Sequence, residues 1–89
     1  MNDWKVYILE AEDGSLYTGI TTDVARRFNE HCHQQKGARY FRGRQPLGIV
    51  YVEAGHNRSS ALQREAAIKR LNRKQKLTLK QQVIYPDGP

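Results

Sequence analysis

The sequence predicts an α/β fold, a small three-stranded antiparallel sheet flanked by helices in the order β-β-α-β-α-α. Two runs rich in β-branched and aromatic residues flank an Asp-Gly pair, and a third apolar run lies near the middle of the chain. The other long segments have helical composition. A two-residue turn between the first two strands means that the sheet cannot be parallel throughout, because parallel neighbours need a long crossover.

The first two strands are WKVYILEA and LYTGIT, and the turn EDGS between them predicts a hairpin over residues 4–21. Counting outward from the Asp13-Gly14 turn places Tyr7 and Tyr17 close to opposite each other. The segment KGARYFRGRQP has Gly, Pro and four basic residues without an apolar period, which predicts a loop. The third strand is LGIVYVEA, residues 47–54.

Polar residues before the helical segments are candidate N-caps. Thr22 or Asp23 can cap a first helix that runs to about Gln35. Ser59 or Ser60 can cap the segment ALQREAAIKRLNRKQKLTLKQQ, which we expect to break near Asn72 into two helices. The tail YPDGP carries two prolines and should fray. These elements predict a single domain over residues 1–85 and a frayed tail over residues 86–89.

Composition limits the classes of function. A chain of 89 residues with 38% hydrophobic content supports one domain with a small core. Its net charge of +6 favours a polyanionic partner, either nucleic acid or an anionic membrane surface. The basic helices lack the Trp, Phe or Leu-rich face that binding to a membrane surface requires. With no apolar run of about 18 residues and no signal peptide, the expected location is the cytoplasm and no membrane association is expected.

The sequence HCH around Cys32 invites a metal interpretation. Cys32 is the only cysteine, which excludes an internal disulfide and a multi-cysteine zinc site. On a helix, residues two apart point roughly 200° away from each other, so His31 and His33 cannot bind one ion. We therefore interpret Cys32 as a half-buried core cysteine.

The first predicted helix has an apolar side that should face the core, made by Val24, Phe28 and Cys32. His31 falls between Val24 and Phe28 on this side, where a histidine is usually a satisfied structural group. Arg27 lies at the edge of the apolar side, and Arg26 points to the opposite, solvated side. Arg27 and His31 are four residues apart and therefore neighbours near the sheet.

Glu65 lies within the apolar half of the second helical wheel, which consists of Ala61, Leu62, Ile68 and Leu71. A carboxylate on a packing face is costly unless it is paired or bound to a cation. Two interpretations remain open. Glu65 forms an ion pair with a nearby arginine, or it binds a hard cation such as Mg²⁺, which one or two protein carboxylates commonly hold together with waters and substrate phosphate.

Basic residues are concentrated in two regions. Between Arg58 and Lys80 there are eight Lys/Arg and one acid, Glu65. The predicted loop interleaves its arginines with two aromatic residues, which fits phosphate contacts combined with base stacking. A merely solvated charged face is the alternative. The candidate nucleic-acid-binding residues are Arg39, Arg42, Arg44, Lys69, Arg70, Arg73 and Lys74.

Four features follow one another along the chain: Lys5-Val6-Tyr7, Tyr17-Thr18-Gly19, Arg27 and a carboxylate in a later helix. This order resembles the GIY-YIG nuclease superfamily, and most closely its small stand-alone bacterial branch. The resemblance extends from Val6 to about Leu79 and includes the phrases LYTGITTDVARR, GARYFRGRQPLGIVYVE and ALQREAAIKRL. Lys5 replaces the first glycine of the motif and Thr18 the isoleucine of its second triplet, while both tyrosines and Gly19 remain.

The resemblance implies roles for five residues in a one-metal hydrolysis of phosphodiesters. Glu65 matches the glutamate that holds Mg²⁺ or Mn²⁺, and Arg27 matches the arginine that opposes the charge of the transition state. Tyr7 and Tyr17 match the motif tyrosines, and His31 a position that is histidine in part of the superfamily. Tyr17 would accept a proton from the attacking water, helped by Tyr7 or His31. Because a phenol has a pKa of about 10, this role needs a nearby cation.

The implied function is that of a divalent-metal-dependent endonuclease domain that cleaves DNA, in repair or recombination. Relatives usually join this domain to a second module, so a protein partner that adds grip on the substrate is part of the expectation. The alternative is a basic nucleic-acid-binding module that keeps the fold and cleaves little or nothing. A carboxylate that faces the core favours the enzyme, because binding alone has no use for it.

Overall fold

A computed structural model describes residues 2–33 and 45–81, with side chains as far as Leu79. Its elements have the predicted order β-β-α-β-α-α. They are β1 Trp4–Ala11, β2 Leu16–Thr21, α1 Val24–His33, β3 Pro46–His56, α2 Arg58–Lys69 and α3 Arg73–Gln81. No helix in this part of the chain is long and apolar enough to cross a membrane.

The three strands form one antiparallel sheet, as predicted, and their order in the sheet is β2-β1-β3. The central strand β1 is buried on both faces because its side chains alternate between two apolar clusters. On one face, Val6 and Ile8 pack with residues of α2 and α3, namely Ala61, Ile68 and Leu79. On the other face, Tyr7 and Leu9 pack with residues of α1, namely Val24 and Phe28. The sheet is therefore the middle layer between helices.

The predicted two-residue turn is wrong, whereas the predicted proximity of Tyr7 and Tyr17 across the two strands is confirmed. The connection between β1 and β2 spans residues 12–15, and Gly14 adopts a φ of 84° there, a conformation that favours glycine. The longer connection sets a register in which Tyr7 lies opposite Gly19, and Tyr17 opposite Leu9. Tyr7 and Tyr17 are thus diagonal neighbours on one face of the sheet, which is still within reach of aromatic side chains.

The predicted start of the second helix is also wrong. Asn57, and neither Ser59 nor Ser60, is the N-cap of α2: its side chain accepts a hydrogen bond from the Ser60 backbone N–H at 2.8 Å. The Ser60 hydroxyl in turn accepts from the Asn57 backbone N–H at 3.2 Å. The preceding strand is longer than the predicted 47–54, because β1 offers pairing partners as far as His56.

The other predicted boundaries have physical causes in the structure. Asp23 caps α1 by accepting a hydrogen bond from the Arg26 backbone N–H at 3.0 Å. The predicted break near Asn72 is confirmed, since Asn72 caps α3 by a reciprocal pair of hydrogen bonds with Gln75, at 2.9 and 3.0 Å. The predicted end of α1 near Gln35, the predicted basic loop and the tail over residues 86–89 lie outside the described residues.

Candidate active site

Tyr7 and His31 form the buried centre of the candidate site. Tyr7 points from the central strand toward α1, and His31 lies near the described end of that helix. The Tyr7 hydroxyl and His31 Nε2 are 3.1 Å apart, a hydrogen-bonding distance at which the tautomer decides which group donates. Both residues are buried, with exposures of 1% and 0%. The contact links the sheet to α1.

Tyr17 completes a group of three rings. Its ring centroid is 5.4 Å from that of His31, in an edge-to-face arrangement, and 6.3 Å from that of Tyr7. Unlike its two neighbours, Tyr17 is only half-buried. Its phenol is therefore the one of the two that solvent or a substrate can reach.

Gly19 leaves the space that the Tyr7 ring occupies. A Cβ atom at Gly19 would lie 2.6 Å from the Tyr7 hydroxyl oxygen, 2.7 Å from Tyr7 Cζ and 3.1 Å from Tyr17 Cε2. The first two distances are far below van der Waals contact. The glycine of the second motif triplet is therefore required by the packing of both tyrosines.

Arg27 lies at the edge of the ring group, where the helical wheel predicts it. Its side chain is 28% exposed, and Nη1 lies 3.0 Å from Glu30 Oε1, an ion pair between residues three apart on α1. It also interacts with the Tyr7 hydroxyl. Arg26 is exposed, so the prediction of different positions for the two arginines is confirmed. Glu30 was missed, although its spacing from Arg27 is typical of a helical ion pair.

The environment sets the protonation states in the group. Burial, followed by the neighbouring Tyr17, raises the pKa of Tyr7 to about 12, against the opposing effect of Arg27. Burial, together with the nearby charge of Arg27, lowers the pKa of His31 to about 4. At neutral pH the Tyr7 phenol therefore keeps its proton and His31 is uncharged. His33, two residues further on, is exposed, so the two histidines point apart as predicted.

A neutral, buried His31 predicts a specific loss of stability in acid. Its folded pKa of about 4 lies below the ordinary value of 6.5, so the unfolded chain takes up the proton first. The His31 contribution is complete above pH 6.5 and is lost as the pH falls toward 4, on the order of 2 kcal/mol. The free energy of unfolding in urea, measured at pH 7 and at pH 4.5, gives the size of this loss. His31→Gln should have the weaker pH dependence, whereas His33→Gln should match the wild type; equal dependence in all three proteins would contradict the assignment.

Glu65 approaches this group from α2. Its side chain is 20% exposed, and Oε2 lies 3.5 Å from Lys69 Nζ. The carboxylate lies close enough to contribute to the raised pKa of Tyr7, as the smallest of its causes. Among the described residues, the ion-pair partner of Glu65 is a lysine one turn away and not an arginine. The wheel was wrong about Leu62, which is 41% exposed, whereas Ala61 and Ile68 are buried as predicted.

The predicted nucleic-acid-binding residues fall into two groups. Arg39, Arg42 and Arg44 lie outside the described residues. The remaining four residues are all exposed. Lys69 lies on the last turn of α2, Arg70 is the C-cap of α2, and Arg73 and Lys74 lie on the first turn of α3. The structure therefore leaves their charges at the surface on the same helical segment that carries Glu65.

A polar cluster centred on Glu53 ties α2 to β3. Both carboxylate oxygens accept from Arg64 Nε at 3.1 Å, Oε1 also accepts from the Tyr51 hydroxyl at 2.6 Å, and Oε2 lies 2.6 Å from His56 Nε2. Burial opposes the charge of Glu53, but these hydrogen bonds and the Arg64 charge outweigh it and lower its pKa. The sequence feature that could have indicated this cluster is Glu53 itself, a single acidic residue in an otherwise apolar strand. Because Arg64 precedes Glu65, the cluster sets the orientation of the Glu65 turn.

Removing the guanidinium from this cluster should destabilise the protein. Arg64→Met keeps the aliphatic stem but leaves the half-buried Glu53 carboxylate without its cationic partner, which should cost about 1–2 kcal/mol. The midpoint of urea unfolding should fall accordingly. Arg70→Met is the matched control on the same helix, since Arg70 is exposed, and it should stay near the wild-type midpoint. Indistinguishable midpoints for the two variants would contradict a stabilising role for the cluster.

Comparisons with known proteins agree in fold and in sequence. A family model described as the GIY-YIG catalytic domain matches residues 3–78. A UPF0213 protein of Desulfotalea psychrophila is 54% identical over 76 residues, which cover 85% of this chain and 69% of that protein. The solution NMR structure of a UPF0213 protein from Bacillus halodurans has a TM-score of 0.58 and 44% identity, covering 98% of this chain and 90% of that one.

Proposed function

The chain belongs to the GIY-YIG catalytic domain family, and from this membership we propose that it is a divalent-metal-dependent endonuclease domain that hydrolyses DNA phosphodiester bonds. The observation that carries the proposal is the buried Tyr7–His31 contact with Tyr17 and Arg27 beside it. The Tyr7 phenol contacts both an imidazole and a guanidinium there, and it packs against a glycine that leaves no room for a side chain. We propose branched or damaged DNA, as formed in repair and recombination, as the substrate.

Arg27 supplies the positive charge of the chain itself. Its guanidinium is held by Glu30 at 3.0 Å, and the contacts with Glu30 and Tyr7 raise its pKa against the effect of burial. It is therefore charged at every working pH, with its orientation set before substrate arrives. A planar cation held in this way stabilises the additional negative charge of a phosphodiester in its transition state.

Tyr17 is the residue that we assign to proton transfer from the attacking water, because its ring is the accessible member of the group. Tyr7 keeps its own proton, since its pKa is raised to about 12 by burial and by its neighbours. His31, uncharged at neutral pH, holds the Tyr7 hydroxyl at 3.1 Å and packs edge-on against Tyr17. Tyr7 and His31 thus position the Tyr17 phenol.

Glu65 is the residue that would hold the metal. Among the described residues no three His, Cys, Asp or Glu side chains cluster, so a site made by protein ligands alone is absent there. One half-buried carboxylate fits Mg²⁺ or Mn²⁺, which bind through one or two carboxylates, waters and substrate phosphate. When bound, such an ion polarises a phosphoryl oxygen and offsets its charge. The Lys69 side chain is 53% exposed and its Nζ lies 3.5 Å from the Glu65 carboxylate. It can therefore move into solvent when a metal ion binds to Glu65.

The test is cleavage of supercoiled, single-stranded and branched DNA by the purified chain with Mg²⁺, Mn²⁺ or a chelator. We expect cutting with either metal, none with chelator, and a strong loss in Tyr17→Phe, which keeps the ring and removes the hydroxyl. Salt-sensitive binding without any cutting would overturn the hydrolase and leave a basic nucleic-acid-binding module. Equal cutting by wild type and Tyr17→Phe would remove Tyr17 from the reaction. If a protein partner is needed to bind the DNA substrate, cutting should occur only when that second protein is added.

A further inference from the structure

A cavity opens between the β1–β2 connection and α3, away from the ring group. Its volume is about 180 Å³, and it is lined by Ser15, Leu16, Arg73 and Lys76. Two of its four lining side chains are cations, and none is an acid. A pocket with this lining attracts an anion of the size of a phosphate group.

The cavity has a fixed wall. The Arg73 guanidinium donates a hydrogen bond to the Gly14 carbonyl, which holds the first turn of α3 against the connection. The connection itself is ordered by Asp13, whose Oδ1 accepts from the Ser15 backbone N–H at 3.0 Å and from the Ser15 hydroxyl at 2.5 Å. A guanidinium has five N–H donors, so the bond to Gly14 orients Arg73 without exhausting its donors.

The cavity and the ring group lie on two sides of one edge strand. Leu16 lines the cavity and packs toward α2 and α3, whereas the next residue, Tyr17, packs toward α1. β2 is an outer strand of the sheet. Leu16 and Tyr17 are adjacent in β2, and successive side chains of a strand project to opposite faces of the sheet. A nucleic-acid strand that crosses this edge would therefore pass both sites.

We propose that this cavity binds a backbone phosphate of the DNA strand, a few nucleotides from the phosphate that is cleaved; this rests on the proposed function for the identity of the ligand. Arg73 and Lys76 contact the phosphate. Lys76 is not among the residues that the sequence singled out. Lys74, which was singled out, is exposed and does not line the cavity.

Lys76 and Arg26 provide the comparison for the test, because each change to Gln removes one positive charge, and Arg26 is exposed on α1 and does not line the cavity. Fluorescence anisotropy with labelled branched DNA in chelator measures binding without cleavage. We expect Lys76→Gln to weaken binding about 5–10-fold and to reduce the slope of log K against log salt by about 0.9, the value for one lost phosphate contact. Arg26→Gln should change binding less than about twofold. Equal losses in the two variants would overturn the subsite in favour of general attraction.

NMR on the same proteins tests whether the cavity binds a phosphate of the DNA backbone or free inorganic phosphate. Amide signals of Ser15 and Leu16 should shift on adding the DNA, and these shifts should be much smaller in Lys76→Gln. Shifts with inorganic phosphate but none with DNA would overturn the assignment to the DNA backbone. The two proposals can fail separately. Metal-dependent DNA cutting, together with equal losses of DNA binding in the two variants, would exclude only the phosphate subsite. A selective loss of DNA binding in Lys76→Gln, without any DNA cutting by the wild type, would exclude only the hydrolase activity.

Discussion

Glu65→Gln is expected to reduce metal-dependent DNA cleavage by at least about 100-fold while the protein stays folded. The amide keeps the shape of the side chain but loses the negative charge that a hard cation requires. A 100-fold loss corresponds to about 2.7 kcal/mol of transition-state stabilisation, within the several kcal/mol that a Lewis acid supplies. The cost to folding should be under about 1 kcal/mol, because the lost ion pair is to the exposed Lys69.

Two controls make the result specific to the carboxylate. Lys69→Gln removes the other partner of the ion pair and leaves Glu65, so cleavage should persist. Asp3→Asn removes one negative charge from an exposed position outside the sheet. Initial cleavage rates over a range of Mg²⁺ concentrations, with thermal unfolding of each variant, give the comparison. Wild-type rates in Glu65→Gln would show that Glu65 does not hold the metal. Unfolding of Glu65→Gln would show that its role is architectural.

Gly19→Ala is expected to impair both stability and activity, although it adds only one methyl group. The new Cβ would lie 2.6 Å from the Tyr7 hydroxyl oxygen. Tyr7 is 1% exposed and packed on every side, so its ring must tilt, and the hydroxyl then leaves His31. Overpacking of this kind costs about 1–3 kcal/mol. Because the same movement displaces the group that positions Tyr17, cleavage should fall at least about tenfold.

Gly48→Ala is the control for this substitution. Gly48 is also a strand glycine, and a Cβ there meets nothing within 4 Å. Its variant should unfold near the wild-type urea midpoint and cleave DNA at the wild-type rate. The decisive observation is the difference between the two variants, in unfolding midpoint and in rate. If Gly19→Ala and Gly48→Ala had the same unfolding midpoint and the same cleavage rate, the Tyr7 ring would be able to move aside without cost. Gly19 would then have no special role.

The two substitutions act on different parts of one arrangement. Glu65 is on α2, which packs against the opposite face of the sheet from α1 and contacts the outer strand β2, so the proposed site requires elements from both faces of the sheet. Gly19 lies on β2 itself, opposite Tyr7. The positioning of the reactive groups therefore depends on packing at the sheet, and a small volume change there should reach both stability and cleavage.

The element order, the antiparallel sheet, the break near Asn72 and the different positions of Arg26 and Arg27 are all predictable from the sequence. These features depend on residues near each other along the chain: strand and helix composition, caps, and the 3.6-residue period. Short-range periodicity also placed Glu65 on the inner side of its helix. The order of Tyr7, Tyr17, Arg27 and Glu65 indicated the family before any contact was known.

Four other features become visible only in the folded chain: the register of the hairpin, the Tyr7–His31 contact, the steric need for Gly19 and the Glu53–Arg64 cluster. Each of these depends on the length of a connection or on the approach of distant segments, and a change of one or two residues in a loop moves every facing pair. The cavity beside Arg73 and Lys76 has the same origin, since its walls lie 59 residues apart at the Gly14 contact. Local composition supplies the charges and rings, and long-range packing brings them together.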